Sequence, residues 1–171
     1  MSAPSPAGRL EIRFATIEDV PVIYAFIRGL AEYEKLAHQV VTTEDGVRES
    51  LFGAHPGAEV LLAEQGGTPV GFALFFHNYS TFLGRRGLYL EDLFVLPERR
   101  GQGIGKALLE RLAAVAVERD CGRMEWAVLD WNTPAIDFYK KLGAVPMSDW
   151  NVFRLSGEAL ERLGRSRLGK E

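Results

Sequence analysis

The stretch Arg100-Gly101-Gln102-Gly103-Ile104-Gly105 constrains this fold more than any other part of the chain. It is set between an apolar run and an amphipathic segment. The run, Leu88-Tyr89-Leu90-Glu91-Asp92-Leu93-Phe94-Val95, reads as a strand, and the segment carries Ile104, Leu108, Leu112 and Val115 along one helical face. A strand that turns through closely spaced glycines into a helix leaves unpaired N–H groups converging at the helix start. The helix dipole favours negative charge there, and small residues let the backbone approach an anion. These residues point to a phosphorylated ligand.

With 171 residues the chain is long enough to bury a real core in one domain. At 47% hydrophobic and 25% charged it is neither disordered nor fibrous in character. A net charge of -3 gives no electrostatic reason to expect nucleic acid and is compatible with a small cationic substrate. The single cysteine, Cys121, excludes an internal disulfide framework and points to a reducing compartment, the cytoplasm. No apolar run reaches the roughly 18 residues of a membrane helix. Residues 1–9 lack the charged and apolar regions of a signal peptide and read as a flexible leader, leaving 10–171 as a single domain.

Residues 10–15 alternate as a first strand, and Thr16 is placed to cap a helix bearing Val20, Ile23, Tyr24, Ile27 and Leu30. Thr43 caps a shorter helix ending near Gly53. Residues 59–64 and 70–77 form a hairpin across Gly66-Gly67, and 88–95 is the long strand before the glycine loop. The loop's helix runs to about Arg119, and another strand covers 124–129. Asn132 or Thr133 then caps a helix with Pro134 in its first turn and Gly143 past its end. Residues 144–147 and 150–155 read as a last pair of strands, followed by a helical tail. The order β-α-α-β-β-β-α-β-α-β-β specifies an α/β fold, a central mixed sheet flanked by helices.

A dinucleotide-binding loop follows the first strand of a βαβ unit, whereas this one follows a fourth strand. A Walker loop needs Gly-Lys-Ser/Thr, and here Gly105-Lys106 precedes Ala107. Both nucleotide readings are disfavoured. Arg100-x-x-Gly103-x-Gly105, in this order of elements, resembles instead the GNAT family of acetyl-CoA-dependent N-acetyltransferases, over about residues 10–155. The motif Trp131-Asn132-x-Pro134-Ala135-x-x-Phe138-Tyr139-Lys140-Lys141-Leu142-Gly143-Ala144 is similar to the family's acid-bearing helix. Leu30-Ala31-Glu32-Tyr33-Glu34, with Gln39-Val40, resembles the spermidine/spermine (diamine) branch.

The resemblance implies an acyl-CoA N-acyltransferase fold with acetyl-CoA as co-substrate, no metal, and a homodimer. Carried over, the backbone of Leu93, Phe94 and Val95 pairs with the pantetheine arm. The N–H groups of Gly101, Gln102, Gly103, Ile104, Gly105 and Lys106 hold the pyrophosphate with Arg100 near its charge. Asn132, Thr133, Pro134 and Ala135 make further cofactor contacts. Tyr139 is the proton donor to the departing thiolate, and a phenol of reference pKa near ~10 suits that task. A substrate ammonium near ~10.4 is free amine only about one part in 10³ at pH 7, so a group must accept its proton. Adjacent strand residues point to opposite faces, and of Glu91 and Asp92 the resemblance selects Glu91 as base or anchor, with Asp92 packing elsewhere. Tyr33, Glu34, Glu125, Trp126, Ala127 and Trp150 match substrate-lining positions.

The diamine enzymes carry a longer, acidic connection before that tryptophan, where this chain has Val145-Pro146-Met147-Ser148-Asp149. That leaves room for a shorter or zwitterionic amine such as a lysine analogue. A pocket walled by Tyr33, Trp126 and Trp150 favours a small amine; an open groove favours a protein lysine or N-terminus. An idle acyl-CoA-binding module needs neither Glu91 nor Tyr139. Cys121, beyond the far end of the cofactor helix, reads as a small buried residue. His38, His55 and His77 are scattered and read as surface or satisfied histidines.

Overall fold

The computed structural model describes residues 8–168, so residues 1–7 of the expected leader lie outside it. The chain divides into two compact units, one ending at Ala127 and one beginning at Val128.

The first unit is a five-stranded sheet in the order β1-β2-β3-β4-β5. Its strands are β1 (Leu10–Phe14), β2 (Glu59–Gln65), β3 (Thr68–Ser80), β4 (Arg85–Val95) and β5 (Met124–Trp126). The first four are antiparallel neighbours and β5 runs parallel to β4, which makes the sheet mixed. The β2–β3 turn forms where Gly66 and Gly67 take positive φ (58° and 79°), as a tight hairpin of right-handed twist requires.

Helices α1 (Val20–Tyr33) and α2 (Glu44–Phe52) cover one face. Val20, Ile23 and Phe26 of α1 pack with Val47 and Leu51 of α2 over Val60, Leu62, Phe72 and Phe94. Each such side chain contributes about 1.5–3 kcal/mol by leaving water. Thr43 caps α2 as its sequence suggests, its hydroxyl accepting from the Gly46 N–H at 3.1 Å. Thr16 heads a short 3-10 turn ahead of α1, and the Asp19 carboxylate accepts from its N–H at 2.7 Å. Helix α3 (Ile104–Glu118) packs on β1 to β4, and the expected stripe of Ile104, Leu108, Leu112 and Val115 is fully buried.

The second unit holds α4 (Thr133–Lys141) and α5 (Gly157–Leu168). The strand pair expected over 144–147 and 150–155 is not formed, and these residues carry no regular structure. A strand needs a partner for its N–H and C=O groups, and no sheet neighbour takes them up: β5 is the last strand of the sheet. Val145, Met147, Trp150, Val152 and Phe153 are all exposed in consequence, Phe153 by 94%.

Candidate active site

The glycine loop has the geometry its sequence specifies. Gly101 and Gly103 sit in the left-handed region (φ 75° and 81°), with open space around both. Gly103 is the N-cap of α3, and its carbonyl accepts from Ala107 at 3.0 Å. The N–H groups of Ile104, Gly105 and Lys106 therefore precede the first helical bond and are free for an anion. No acidic residue lies in the first turn, so nothing on the helix itself opposes the dipole. The side chain of Lys106 pairs with Glu110 at 2.7 Å.

Strand β5 pairs with β4 no further than Leu90–Trp126, while β4 continues to Val95. The residues after Leu90 thus have an edge that β5 does not cover. Alternation assigns the groups on that edge. The Leu96 N–H bonds Val70 at 2.9 Å across the β3 side, so Phe94 also turns its N–H and C=O toward β3. Leu93 and Val95 turn theirs to the open side. Of the three residues expected to pair with a pantetheine arm, Leu93 and Val95 thus turn their backbone groups to the open edge, and Phe94 turns its own toward β3. The Val95 carbonyl already accepts from the Arg100 Nε at 3.0 Å.

The same strand carries a β-bulge. Phe75 stands opposite Leu90 and Leu74 opposite Asp92, so Glu91 is the extra residue. The bulge changes the face that regular alternation would give Asp92. Phe75 lies 5.7 Å from the Arg119 guanidinium at the end of α3, which puts Leu90 on the α3 face. Leu74 packs against the α1/α2 cluster, so its neighbour Asp92 lies on the α1 face. An uninterrupted strand would have set Leu90 and Asp92 on one face.

Electrostatics agree with that placement. Burial pushes the Asp92 carboxyl up to about 6, helped by the charges of Glu91 and of Glu34, the residue after α1. Burial also raises Glu34. Tyr89 shares the face, with its ring 5.1 Å from Phe76, and its hydroxyl is raised by burial, by Glu91 and by Glu125. Glu125 stands beside Tyr89 on β5 and accepts from Asn78 (3.0 Å) and Arg123 (2.8 Å). Glu91, Asp92, Glu34 and Glu125 thus share one electrostatic neighbourhood. Trp126 pairs with Leu90 and takes the opposite face, so it does not join Tyr33 in one wall; Ala127 follows the end of β5.

Tyr33 ends α1, and the Arg100 guanidinium carbon lies 4.4 Å from its ring centre. Arg100, expected only beside a phosphate, therefore also touches the segment matched to the amine substrate.

In the second unit Asn132 caps α4, accepting from the Ala135 N–H at 3.4 Å, with Thr133 and Pro134 in the first turn. Tyr139 is half-buried on that helix, its ring 5.5 Å from Phe138. Trp150 is 74% exposed. Cys121 is half-buried rather than buried; it follows the left-handed Asp120 just past α3, its N–H donating to the Ala116 carbonyl at 2.8 Å. His77 is not a satisfied histidine: its Nε2 is buried without a hydrogen-bond partner, and burial, then Arg119, lower its affinity for a proton. Among the described residues no group of His, Cys, Asp and Glu could hold a metal ion.

Sequence reasoning weighed Asp92 and set it aside in favour of Glu91, and it did not single out Tyr89 or Asn78. Its one available signal was the pair of acidic residues side by side in an apolar strand, which marks a break in alternation.

Residues 25–144 match the family described as the acetyltransferase (GNAT) family. The chain is 44% identical over 163 residues to a thialysine N-epsilon-acetyltransferase of Sus scrofa, covering 89% of this chain and 95% of that one. It is 34% identical over 209 residues to the L-ornithine N5-acetyltransferase NATA1 of Arabidopsis thaliana, covering 94% and 92%. Among solved structures, an integron cassette protein from the mobile metagenome of V. cholerae superposes with a TM-score of 0.77 at 27% identity, covering 91% and 98%.

Proposed function

The chain belongs to the GNAT acetyltransferase family, and on that premise we propose that it moves acetyl from acetyl-CoA to the side-chain amine of a small diamino acid of the thialysine or ornithine kind. It is an N-acetyltransferase. The observation that carries the substrate reading is the bulge at Glu91, where the open edge of Leu93 and Val95 meets the carboxyls of Asp92, Glu91 and Glu34. Negative charge there favours an ammonium, and the uncovered edge takes an extended arm.

The residues fit a coenzyme A thioester, which supplies an activated acetyl carbonyl for direct attack by the amine. The N–H groups of Gly101, Gln102, Gly103, Ile104, Gly105 and Lys106 hold the pyrophosphate, with Arg100 beside it. Leu93 and Val95 pair with the pantetheine arm, and the Leu93 N–H polarises the thioester carbonyl. The start of α4, from Asn132 through Thr133 and Pro134 to Ala135, adds cofactor contacts. Asp92 accepts the ammonium proton with Glu91 next to it at the bulge, because a carboxyl near pH 6 is a better matched base than an ordinary one. Tyr33, Glu34 and Glu125 line the amine's path. Tyr139 returns a proton to the sulfur.

The exposed apolar side chains of Val145, Met147, Trp150, Val152 and Phe153 support a homodimer, in which a second copy covers them. No helix among the described residues is long and apolar enough to cross a membrane, and the lone cysteine suits the cytoplasm. Sedimentation at micromolar concentration tests the dimer: a wild-type dimer that Phe153→Glu dissociates is expected, and a monomeric wild type removes it.

The function is tested by acetyl-CoA turnover on thialysine, ornithine, lysine, putrescine, spermidine, spermine and lysine peptides. The expected result is highest kcat/KM on the diamino acids, with acetyl on the side-chain nitrogen. Turnover confined to the peptides would overturn the small-amine reading.

A further inference from the structure

Arg100 joins two parts of the site that the chemistry treats separately. Its Nε donates to the Val95 carbonyl at 3.0 Å, which ties the glycine loop to the end of β4. Its guanidinium carbon lies 4.4 Å from the Tyr33 ring centre and 5.7 Å from that of Phe94. One turn earlier on α1, Gly29 rests on the same Phe94 ring so closely that a Cβ would stand 2.8 Å from it. Leu96, at the start of the loop, and Ile27 and Leu30 of α1 all pack against the same core cluster, which contains Phe94. The last turn of α1 and the glycine loop are thus one packed assembly. The residue after Tyr33 is Glu34, whose charge reaches Asp92.

With its central carbon over the Tyr33 ring and Nε on Val95, the guanidinium keeps its terminal nitrogens for an anion: among the described residues they make no hydrogen bond or ion pair. A planar guanidinium can stack by its face and bind phosphate by its edge at the same time, which an ammonium cannot do.

We propose that Arg100 is a positioning residue that couples the two substrates: a pyrophosphate held on its terminal edge fixes the guanidinium, and its stacked face fixes Tyr33 and the end of α1 for the amine. Cofactor binding then raises amine affinity, and the amine raises cofactor affinity by the same factor. The inference rests on the function proposed above, since it takes the last turn of α1 as the amine's wall.

The test uses coenzyme A without acetyl, so no turnover intervenes, and the amine with the highest kcat/KM in the panel. Amine affinity is measured by calorimetry with and without saturating coenzyme A. The wild type is expected to bind the amine about fivefold or more tightly when coenzyme A is present. Arg100→Lys keeps the charge and loses the stacked plane, so it still binds coenzyme A while the ratio falls toward one. Tyr33→Phe keeps the ring and keeps the ratio, whatever it does to amine affinity itself. A wild-type ratio of one, or an undiminished ratio in Arg100→Lys, overturns the coupling while leaving the acetyltransferase reading intact. Absence of turnover on every small amine removes both. Amide exchange over residues 30–36 gives a readout without amine: coenzyme A is expected to slow it in the wild type and not in Arg100→Lys. Equal slowing in both also overturns the proposal.

Discussion

Leu90 and Asp92 are two residues apart on one strand and face opposite sides of the sheet. The extra residue between them, Glu91, turns a carboxyl that regular alternation would direct under α3 onto the face that α1 covers. There the charge of Glu34 helps to raise its pKa, and it lies one residue from the open edge at Leu93.

Asp92→Asn tests that placement through the pH profile of kcat/KM for the amine. The wild type is expected to lose activity as pH falls through about 6, where the Asp92 carboxyl takes up a proton. The variant loses that limb and about 10²–10⁴-fold of kcat/KM, the range of a general base. The amine's own ionisation at alkaline pH remains in both. A variant that keeps wild-type kcat/KM and the limb near 6 would exclude Asp92 as the base.

The same substitution has the opposite effect on stability. The folded carboxyl holds its proton to about pH 6, against 3.8 for the ordinary group. Between those values the folded state binds more protons, so this group's contribution falls as pH rises and is fully unfavourable above about 6. Removing the charge is expected to stabilise Asp92→Asn at pH 7.5 by about 1–3 kcal/mol, with little gain at pH 4. Denaturant titrations at the two pH values check it; a variant destabilised at pH 7.5 contradicts the buried-charge account.

Tyr139→Phe removes the hydroxyl and leaves the ring against Phe138. An acid that acts only on the leaving thiolate contributes in the transition state, so kcat should fall about 10²-fold or more while the KM for acetyl-CoA changes little. Single-turnover measurements separate this from slow product release. Unchanged kcat would remove Tyr139 from the chemistry.

The elements that run on local pattern were legible in the sequence. The stripe of α3, the Thr43 cap, the Gly66-Gly67 hairpin and the glycine loop each follow from residues a few positions apart. Three features depend on distant partners and were not. The bulge at Glu91 is a register relation between β3 and β4, and the adjacent acids in β4 do not say which residue is the extra one. The stacking of Arg100 on Tyr33 joins segments 67 positions apart, which spacing does not reveal. Residues 144–155 have the apolar content of strands, but forming one requires a neighbouring edge that strand propensity cannot supply.

The three glycines of the loop separate fold from ligand. Gly101 and Gly103 hold positive φ with open space around them, so alanine there meets no clash but costs about 1–2 kcal/mol in backbone strain. Gly105 lies inside α3 at ordinary helical angles, and a Cβ would meet only Val95 at 3.9 Å. Alanine at Gly105 should therefore stabilise the ligand-free protein by about 1 kcal/mol through helix propensity. If Gly105 is small so that a pyrophosphate can approach the helix start, Gly105→Ala must also raise the KM for acetyl-CoA severalfold. Thermal unfolding and cofactor titration of the three alanine variants read the two effects independently. A stabilised Gly105→Ala with unchanged KM would show that the anion does not approach the backbone at this turn.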